Sequence, residues 1–315
     1  MKRPMTMIAA ALVLGLVAVA CGEGGGTGTG LTGTVRADGS STVGPLTEAA
    51  AELFQQENPG VRVTVGTSGT SGGFEKFCKG ESEISNASRP IKESEVEACK
   101  ENGVEYEEVQ VANDALSAVV NPNNPLDCIT VAQLKQAWDL GSTVDSWGDI
   151  EGLKTDLPDE ELTMFGPGSD SGTYDYWTEA INGEEGRIRT NYNSIGEDDN
   201  AAVQGVSGDD WAMAYIPYSF VTEAGDQVKA LEVENPETGE CVAPTVENVQ
   251  NGTYAPLARP LFVYPSAEAL QKPEVLAFLE FYIENQEQIT EQATFIPMNE
   301  EQVAESNSRI ERLAS

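Results

Sequence analysis

The sequence predicts an α/β fold in which strands alternate with helices and the sheets are largely parallel. The first observation is the alternation itself, which runs from about residue 34 onward. The second is a Ser/Thr/Gly-rich turn that separates a predicted strand from a predicted helix at three places. The third is length: of the 315 residues, about 295 follow the leader described below, which is enough for two lobes with a core each.

The N-terminal unit of this fold is a strand, a turn, a helix and a second strand. Residues 34–37 open as a strand, and residues 44–57 keep apolar side chains at helical spacing. Pro45 lies in the first turn of this helix, where proline is tolerated, and the helix ends before Asn58 and the proline and glycine that follow it. In residues 61–65 valine alternates with polar residues, which predicts a strand.

The later elements continue the alternation, with boundaries at glycine, proline and asparagine clusters. A short helix is predicted from residue 74, and the last predicted helix has a break near Pro273. The other helices are predicted at residues 92–100, 131–140, 172–182, 200–207 and 267–285. Strands are predicted at residues 84–91, 104–111, 115–120, 212–217 and 257–263.

The N-terminus has the features of a bacterial lipoprotein leader. Two basic residues precede an apolar run over residues 8–20, which has the length of a signal-peptide core and is short for a membrane span. The run ends in small residues before Cys21, and this ending resembles the lipobox at which the cysteine is lipidated. We expect a lipoprotein signal peptide at 1–20 and a Gly/Thr-rich tether at 21–33, with a plain secretory signal as the alternative.

No later segment is apolar enough to cross a membrane, so we expect an extracytoplasmic domain that reaches the membrane only through its lipid. The chain has a formal net charge of −34 and contains no histidine. This charge argues against a nucleic-acid partner, because phosphate backbones need patches of lysine and arginine. It also argues against an anionic membrane surface, and it requires any bound anion to be held by local donors.

Four cysteines remain besides Cys21, and an even number outside the cytoplasm indicates two disulfides. Three pairings are possible. We favour Cys78–Cys99, which closes a compact local segment, together with Cys128–Cys241. A zinc site is the alternative, but the chain has no Cys-x-x-Cys motif and no histidine, so we expect no metal.

The stretch over residues 166–179 begins as a turn and becomes a helix. Gly166, Pro167 and Gly168 end the preceding strand, and three residues that favour the N-cap position follow them. The hydroxyl and N–H groups of residues 171–173 therefore lie at the start of a helix, which is a favourable place for an anion. An ordinary capped helix is the alternative interpretation.

Two further turns have the same chemistry, at residues 38–42 and 66–73, and Arg89 lies in a fourth loop. In open α/β sheets, ligands bind beyond the carboxyl ends of the strands. One such turn is explained by capping alone. Three of them together favour an anion-binding site.

These turns belong to a set of ordered motifs that extends from about residue 35 to the C-terminus. The motifs are Asp38-Gly-Ser-Ser-Thr-Val-Gly-Pro, Thr67-Ser-Gly-Thr-Ser-Gly-Gly, Asn86-Ala-Ser-Arg-Pro-Ile, Gly168-Ser-Asp-Ser-Gly-Thr-Tyr-Asp-Tyr and the run from Glu197 to Gly208. They resemble the PstS family, the substrate-binding proteins of bacterial ABC phosphate importers. The resemblance implies a two-lobed periplasmic-binding-protein fold of type II, with a mostly parallel sheet flanked by helices in each lobe. Two strands would form the hinge, and the lobes would close around phosphate.

The resemblance also places the lobe boundaries. The hinge strands would lie near residues 113–120 and 256–263. Lobe 1 would consist of residues 34–113 plus 261–315, and lobe 2 of residues 114–260. This division puts Cys128 and Cys241 in the same lobe, in agreement with the favoured pairing.

The family's motifs imply a set of phosphate-binding residues in this chain. The best-known branch has aspartate where this chain has Arg89 and arginine where it has Pro167, so Arg89 would supply the positive charge. A carboxylate would accept the proton of phosphate, with Asp170 as the first candidate and Asp38 as the second. Arg89 as a surface salt bridge and Asp170 as a simple N-cap are the alternatives. The implied phosphate-binding residues are Ser41, Thr42, Thr70, Ser71, Arg89, Asp170, Ser171, Gly172 and Thr173.

The leading functional hypothesis is a lipid-anchored monomer that captures inorganic phosphate and delivers it to an ABC permease, without enzymatic activity and without a cofactor. One alternative is a receptor for another oxyanion, such as sulfate. The other is a secreted phosphate-ester hydrolase with Ser171 as nucleophile. The absence of histidine argues against the hydrolase, because neither a His-activated serine nor a His-rich metal site can be built.

Overall fold

A computed structural model describes residues 30–315 apart from Asp156, Asp170 and Glu197. The predicted signal peptide at 1–20, the lipidation site Cys21 and the tether before residue 30 lie outside this range. Asp170, the first candidate for the proton acceptor, also lies outside the described residues.

The N-terminal part of the sheet is parallel, as its alternating elements predict. Strand β1 pairs in parallel with β2 on one side and with β3 on the other. Helix α1 has proline in its first turn and ends at Glu57, before Asn58, in agreement with the sequence pattern. The elements are β1 (Gly33–Gly39), α1 (Gly44–Glu57), β2 (Val61–Gly66), α2 (Thr70–Phe77), β3 (Ile84–Ala87) and α3 (Glu93–Glu101).

Strand β4 (Val109–Val120) has 12 residues and is longer than either strand that the sequence predicts in this region. β4 contains residues 109–111 of the first predicted strand and all of the second, 115–120, whereas residues 104–108 lie before it. The polar residues Asn113 and Asp114 do not interrupt the strand. The reason is that both polar side chains are buried with partners: Asn113 bonds to Gln110 and Gln302, and Asp114 to Arg259.

The C-terminal part of the chain returns to β4 through several short elements. Helix α5 continues directly into a π-helical turn, Thr178–Asn182. The elements are β5 (Cys128–Thr130), α4 (Val131–Trp138), β6 (Met164–Gly166), α5 (Gly172–Trp177), β7 (Asn193–Ser194), α6 (Asp199–Ser207), β8 (Met213–Pro217), α7 (Tyr218–Ala224), β9 (Lys229–Ala230), β10 (Glu232–Glu234), β11 (Cys241–Val242), α8 (Val246–Gln250), β12 (Ala258–Pro265), α9 (Ala267–Leu270), α10 (Pro273–Glu284), α11 (Gln286–Ala293) and α12 (Glu300–Ala314).

The two long strands β4 and β12 connect the parallel parts of a single sheet. Its strand order is β2-β1-β3-β12-β4-β8-β6-β7, with β9 also paired to β4. Strand β12 runs antiparallel to β3 and β4, and β4 runs antiparallel to β8, while β6 is parallel to both β7 and β8. Strands β11, β10 and β5 form a separate small sheet.

The hydrophobic core changes along these two strands. Residues of β4 up to Ala112 pack with helices α1 and α10, whereas residues from Ala115 onward pack with Trp138 and its neighbours. On β12 the change falls between Ala258 and Leu261. The polar stretch of each strand therefore lies between two separate cores.

Both disulfides that the sequence analysis favours are present in the structure. Cys78 and Cys99 join helices α2 and α3, with an S–S distance of 2.00 Å. Cys128 and Cys241 join β5 to β11 in the small sheet, at 1.91 Å.

Among residues 30–315, apart from the three undescribed positions, no helix is both long and apolar enough to span a bilayer.

Glu83 is a buried charge that ties β1 to the C-terminal helices. Its side chain is only 4% exposed and forms ion pairs with Arg36 at 2.7 Å and Lys272 at 2.8 Å. Burial alone would raise the pKa of Glu83. The hydrogen bonds from Arg36 and Lys272 outweigh burial and lower this pKa to about 2.

We predict that Glu83→Gln lowers the free energy of unfolding by about 1–3 kcal/mol at pH 7, because the ion pairs with Arg36 and Lys272 are both lost. The pKa of Glu83 is lower in the folded state than its usual 4.5, so this stabilisation is present above about pH 4.5 and is lost as the pH falls towards 2. Urea denaturation between pH 7 and pH 2.5 measures the effect.

The matched control is Glu75→Gln, which removes an exposed carboxylate paired with Lys79 within one helix turn. We expect the control to leave the stability nearly unchanged, because water screens an exposed ion pair. A Glu83→Gln protein that is as stable as the control at pH 7 would contradict the prediction.

Candidate functional site

Three helix starts lie around one cavity of ≈ 290 Å³. The turn before α1 contributes Ser41 and Thr42, the start of α2 contributes Thr70 and Ser71, and the start of α5 contributes Gly172. The first N–H groups of a helix have no partner within the helix and carry partial positive charge. The three turns that the sequence analysis singled out therefore meet in space.

The backbone N–H groups at these helix starts are available to a ligand. The N–H groups of Ser41, Thr42, Thr70, Ser71 and Gly172 form no hydrogen bond with any described residue. A group of such donors directed to one place is a typical anion site.

Glycine allows the turns to come this close. Gly69 precedes α2 with a φ of 80°, a conformation that other residues rarely adopt. A Cβ atom on Gly172 would lie 2.9 Å from Oγ1 of Thr42, so the start of α5 packs directly against the turn before α1.

Arg89 lines the cavity, but its charge is already compensated. Its Nη1 and Nη2 atoms donate to the two carboxylate oxygens of Glu95 at 2.9 and 2.8 Å. Nη2 also donates to Oγ of Ser71 at 3.0 Å, whereas Nε forms no hydrogen bond with the described residues. Hydrogen bonding to Glu95 raises the pKa of Arg89, so the guanidinium keeps its charge. Arg89 is thus both part of a salt bridge and part of the cavity wall.

A second guanidinium, Arg259, lines the same cavity from β12. Nε and Nη2 of Arg259 both donate to Oδ2 of Asp114 at 3.1 Å, and Nη2 approaches Oγ1 of Thr42 at 3.4 Å. The guanidinium carbon lies 3.6 Å from the centre of the Tyr176 ring, and Tyr176 donates to the carbonyl oxygen of Pro256 at 2.8 Å. The Arg259 side chain is 13% exposed, and its Nη1 atom makes no hydrogen bond with the described residues. Nη1 is therefore available to a ligand.

Asp38, the second candidate for the proton acceptor, is occupied by protein donors. It accepts from the N–H and the hydroxyl of Ser68 at 3.1 and 2.6 Å, and from Lys76 at 2.6 Å. Burial would raise the pKa of Asp38, but the bonds from Lys76 and Ser68 outweigh it and lower the pKa. Asp38 does not line the cavity, and its role in the structure is to hold the start of α2 against β1.

Six of the predicted residues line the 290 Å³ cavity, and two others line only the adjoining cavity. Ser171 and Thr173 face an adjoining cavity of ≈ 630 Å³, which shares Ser41, Thr42 and Gly172 with the first. The hydroxyl of Ser171 accepts a hydrogen bond from the N–H of Thr173 at 3.3 Å, as expected of an N-cap. The six residues of the smaller cavity are Ser41, Thr42, Thr70, Ser71, Arg89 and Gly172.

Arg259, Asp114 and Tyr176 were not among the site residues predicted from the sequence. A signal for the first two was present, because Arg259 and Asp114 are opposite charges at the start of the two predicted hinge segments. In the structure these two residues are direct cross-strand partners in the β4–β12 register. Tyr176 ends the motif that begins at Gly168, but its contact with Arg259 depends on the position of β12.

The described residues contain one cluster with the geometry of metal ligands, formed by Cys128, Glu232 and Cys241. Both sulfur atoms belong to a disulfide and are not thiolates, so this cluster does not bind a metal. The chemistry that the cavity offers is instead the binding of an anion by N–H groups, hydroxyls and guanidinium groups.

We predict that Arg259→Gln lowers the free energy of unfolding by about 3 kcal/mol, because it leaves Asp114 buried without a counter-charge. Asp114 is 9% exposed, so water cannot replace the lost partner. The double variant Arg259→Gln/Asp114→Asn should recover most of this loss. Arg312→Gln, which breaks an exposed pair with Glu107, is the control and should cost much less. Urea denaturation measures these losses. Equal losses of stability in Arg259→Gln and Arg312→Gln would contradict the prediction.

Comparison with known proteins identifies the family. A family model described as a PBP superfamily domain matches residues 25–286. The protein SphX of Synechococcus elongatus is 46% identical over 266 residues, which is 84% of this chain and 77% of SphX. The phosphate-binding protein PstS of Staphylococcus saprophyticus is 35% identical over 309 residues, which is 97% of this chain and 92% of that protein.

A solved structure agrees with these sequence relatives. The crystal structure of a possible phosphate binding protein from Planctomyces limnophilus has a TM-score of 0.83 and 38% sequence identity, and the match covers 90% of this chain and all of that one. The chain belongs to the PBP superfamily and, within it, to the PstS family.

Proposed function

We propose that this protein binds inorganic phosphate in the 290 Å³ cavity and delivers it to the permease of an ABC transporter. The observation that carries the proposal is the meeting of three helix starts and two guanidinium groups in that one cavity. The names of the relatives in Staphylococcus saprophyticus and Planctomyces limnophilus support phosphate as the ligand. The PstS family supports the transporter as the partner.

The physical requirement is the replacement of water around a strongly hydrated anion. Phosphate loses its hydration shell when it is enclosed, so short charge-assisted hydrogen bonds have to replace it. Hydroxyl and N–H donors do this without adding net charge. Each guanidinium is paired with a carboxylate, Arg89 with Glu95 and Arg259 with Asp114, so the two guanidinium groups add no excess of positive charge to the cavity wall.

We propose the following phosphate ligands on this basis. Nη1 of Arg259 and Nε of Arg89 would provide the guanidinium contacts. The remaining ligands would be hydroxyl and N–H groups of Ser41, Thr42, Thr70, Ser71, Ser171, Gly172 and Thr173.

The cavity would lie between two lobes that close on the anion. The change of core along β4 and β12 supports the division into lobe 1, residues 34–113 plus 261–315, and lobe 2, residues 114–260. The contact between Gly172 and Thr42 would then be a contact across the cleft, and the Arg259–Asp114 pair would lie at the hinge. Lobe closure would bring the start of α5 onto the ligand.

Two other functions would give different experimental results. A receptor for a fully deprotonated oxyanion such as sulfate would bind it as tightly as phosphate. A phosphate-ester hydrolase would turn over substrate, but the chain has no histidine to activate Ser171. We therefore propose a binding protein without enzymatic activity, which acts as a monomer and needs no cofactor.

We predict that the protein binds phosphate and that Arg259→Lys and Arg89→Lys each weaken this binding by at least about tenfold. Isothermal titration calorimetry measures the affinities. Lysine keeps the positive charge beside Asp114 or Glu95 but loses the planar, multiple donors of arginine. Arg312→Lys, an equivalent change at an exposed salt bridge, is the control and should bind like the wild type.

Absence of phosphate binding by the wild type would contradict the proposed function. Unchanged affinity in one arginine variant would remove that arginine from the site and leave the function in place. A chromogenic phosphate ester tests the hydrolase directly, and release of the chromophore above the buffer rate would contradict a pure binding protein.

We also propose that lipid on Cys21 anchors the protein to the outer face of the cell membrane. The apolar run that ends at Cys21 supports this proposal. In a bacterial host, the wild type should incorporate labelled palmitate and fractionate with membranes, whereas Cys21→Ser should incorporate none and leave the membrane fraction. Membrane retention of the unlabelled Cys21→Ser protein would contradict the anchor.

A further inference from the structure

The disulfide between Cys78 and Cys99 joins the two helices that hold the Arg89 side of the 290 Å³ cavity. Cys78 directly follows α2, whose first residues line the cavity. Cys99 lies in α3, whose first turn contains Glu95. Helix α2 has eight residues, so its two ends are about 12 Å apart. Neither cysteine lines the cavity, so any effect of the disulfide on a ligand has to pass through other residues.

Helix α3 has few contacts that attach it to the rest of the domain. All nine residues of α3 are described, and Cys99 is the only one of them that is buried. Cys99 is 0% exposed and belongs to the same apolar cluster as Phe74, Phe77 and Tyr264. A helix this short is not stable by itself, so its position is set by the groups that attach it. The disulfide is the covalent one among them.

Glu95 links the position of α3 to that of Arg89. Its carboxylate accepts hydrogen bonds from Nη1 and Nη2 of Arg89 at 2.9 and 2.8 Å, and from the N–H of Lys92 before α3 at 2.8 Å. Nη2 of Arg89 also donates to Oγ of Ser71 at 3.0 Å, and the guanidinium carbon lies 5.9 Å from the centre of the Phe74 ring. Contacts therefore run in a closed ring from α2 through the disulfide to α3, and from there through the Glu95–Arg89 pair back to α2.

We infer that the Cys78–Cys99 disulfide positions the guanidinium of Arg89 for phosphate, with Glu95 as the link between them. This inference rests on the proposed function, in which Nε of Arg89 contacts the anion. Both terminal nitrogens of the guanidinium are already bonded, so the direction of its Nε–H depends on where Glu95 and Ser71 hold them. Because the guanidinium donors form a rigid fork, a shift of α3 relative to α2 would turn Nε away from the anion. Cys78, Cys99 and Glu95 are thus positioning residues.

The second disulfide provides a matched control. Cys128 and Cys241 join β5 to β11, and neither cysteine lines the cavity. They are 113 residues apart in the sequence, whereas Cys78 and Cys99 are 21 residues apart. A disulfide that closes a longer loop constrains the unfolded chain more strongly, so loss of the control disulfide should lower stability at least as much. Phosphate affinity should instead respond only to loss of the Cys78–Cys99 disulfide.

The test is calorimetric titration of phosphate into the wild type, Cys78→Ala/Cys99→Ala and the control Cys128→Ala/Cys241→Ala. Alanine avoids placing a hydroxyl in the apolar cluster around Cys99. We expect Cys78→Ala/Cys99→Ala to weaken phosphate binding by about tenfold, because one charged hydrogen bond to the anion is worth about that factor. The control should bind phosphate like the wild type. Thermal melting of each protein without ligand measures its stability.

A second readout separates positioning from a general loosening of the fold. In the Arg89→Lys background, Cys78→Ala/Cys99→Ala should cause little further loss of affinity, because the guanidinium that the disulfide positions is absent. Glu95→Gln keeps the disulfide but removes the charged link to Arg89. We expect Glu95→Gln to weaken phosphate binding by a similar factor.

The inference is wrong if Cys78→Ala/Cys99→Ala or Glu95→Gln binds phosphate as tightly as the wild type. It is also wrong if Cys78→Ala/Cys99→Ala causes the same loss of affinity with and without Arg89→Lys. An equal loss of affinity in the control would show a general effect of disulfides on the fold and would contradict the inference. A Cys78→Ala/Cys99→Ala protein that does not melt cooperatively would contradict it in the same way.

These outcomes are separate from the failure of the proposed function. A wild type that binds no phosphate contradicts the function itself. A wild type that binds phosphate and loses affinity in Arg89→Lys, but not in Cys78→Ala/Cys99→Ala, contradicts only the role of the disulfide.

Discussion

The ion pair between Arg259 and Asp114 has two roles in the structure, one between the long strands and one in the wall of the cavity. It joins the two long strands β4 and β12 at the point where one hydrophobic core ends and the other begins. It also places a guanidinium in the wall of the cavity, flat on Tyr176 and within reach of Thr42. A charge in this position needs a counter-charge to be tolerated, and Asp114 provides it while leaving Nη1 free.

Local hydrogen-bond donors in the cavity allow an acidic protein to bind an anionic ligand. A formal charge of −34 gives a repulsive field at long range, so attraction has to come from groups in direct contact with the ligand. Contact donors are effective inside a cavity because little water screens them there. The three helix starts supply such donors without lysine or arginine, and the two arginines that do line the cavity are paired with Glu95 and Asp114.

Local patterns in the sequence predicted the parts of the site that local structure determines. The turns before α1, α2 and α5 have capping and glycine signals within a few residues, and these elements lie close to their predicted positions. The length of β4 was not predictable in the same way, since buried polar residues such as Asn113 look like a strand end until their partners are known. One of these partners, Gln302 in α12, is 189 residues away in the sequence.

The electrostatic part of the site depends on contacts that local sequence patterns do not specify. The role of Asp38 depends on Lys76, which reaches it only after α2 folds back onto β1. The position of Arg259 depends on the register of β12 against β4, which the sequence alone does not specify. Arg89 was recognised from its motif, but its bidentate contact with Glu95 requires the position of α3. Long-range pairing, not local propensity, decides which charged groups remain available to a ligand.

The most direct test of this account is a crystal structure of the protein with phosphate. We expect the phosphate oxygens to lie about 2.7–3.2 Å from donors of all three helix starts, including the N–H of Gly172, and from Nη1 of Arg259. A phosphate bound elsewhere, or one that contacts only the residues around α1 and α2, would contradict the account.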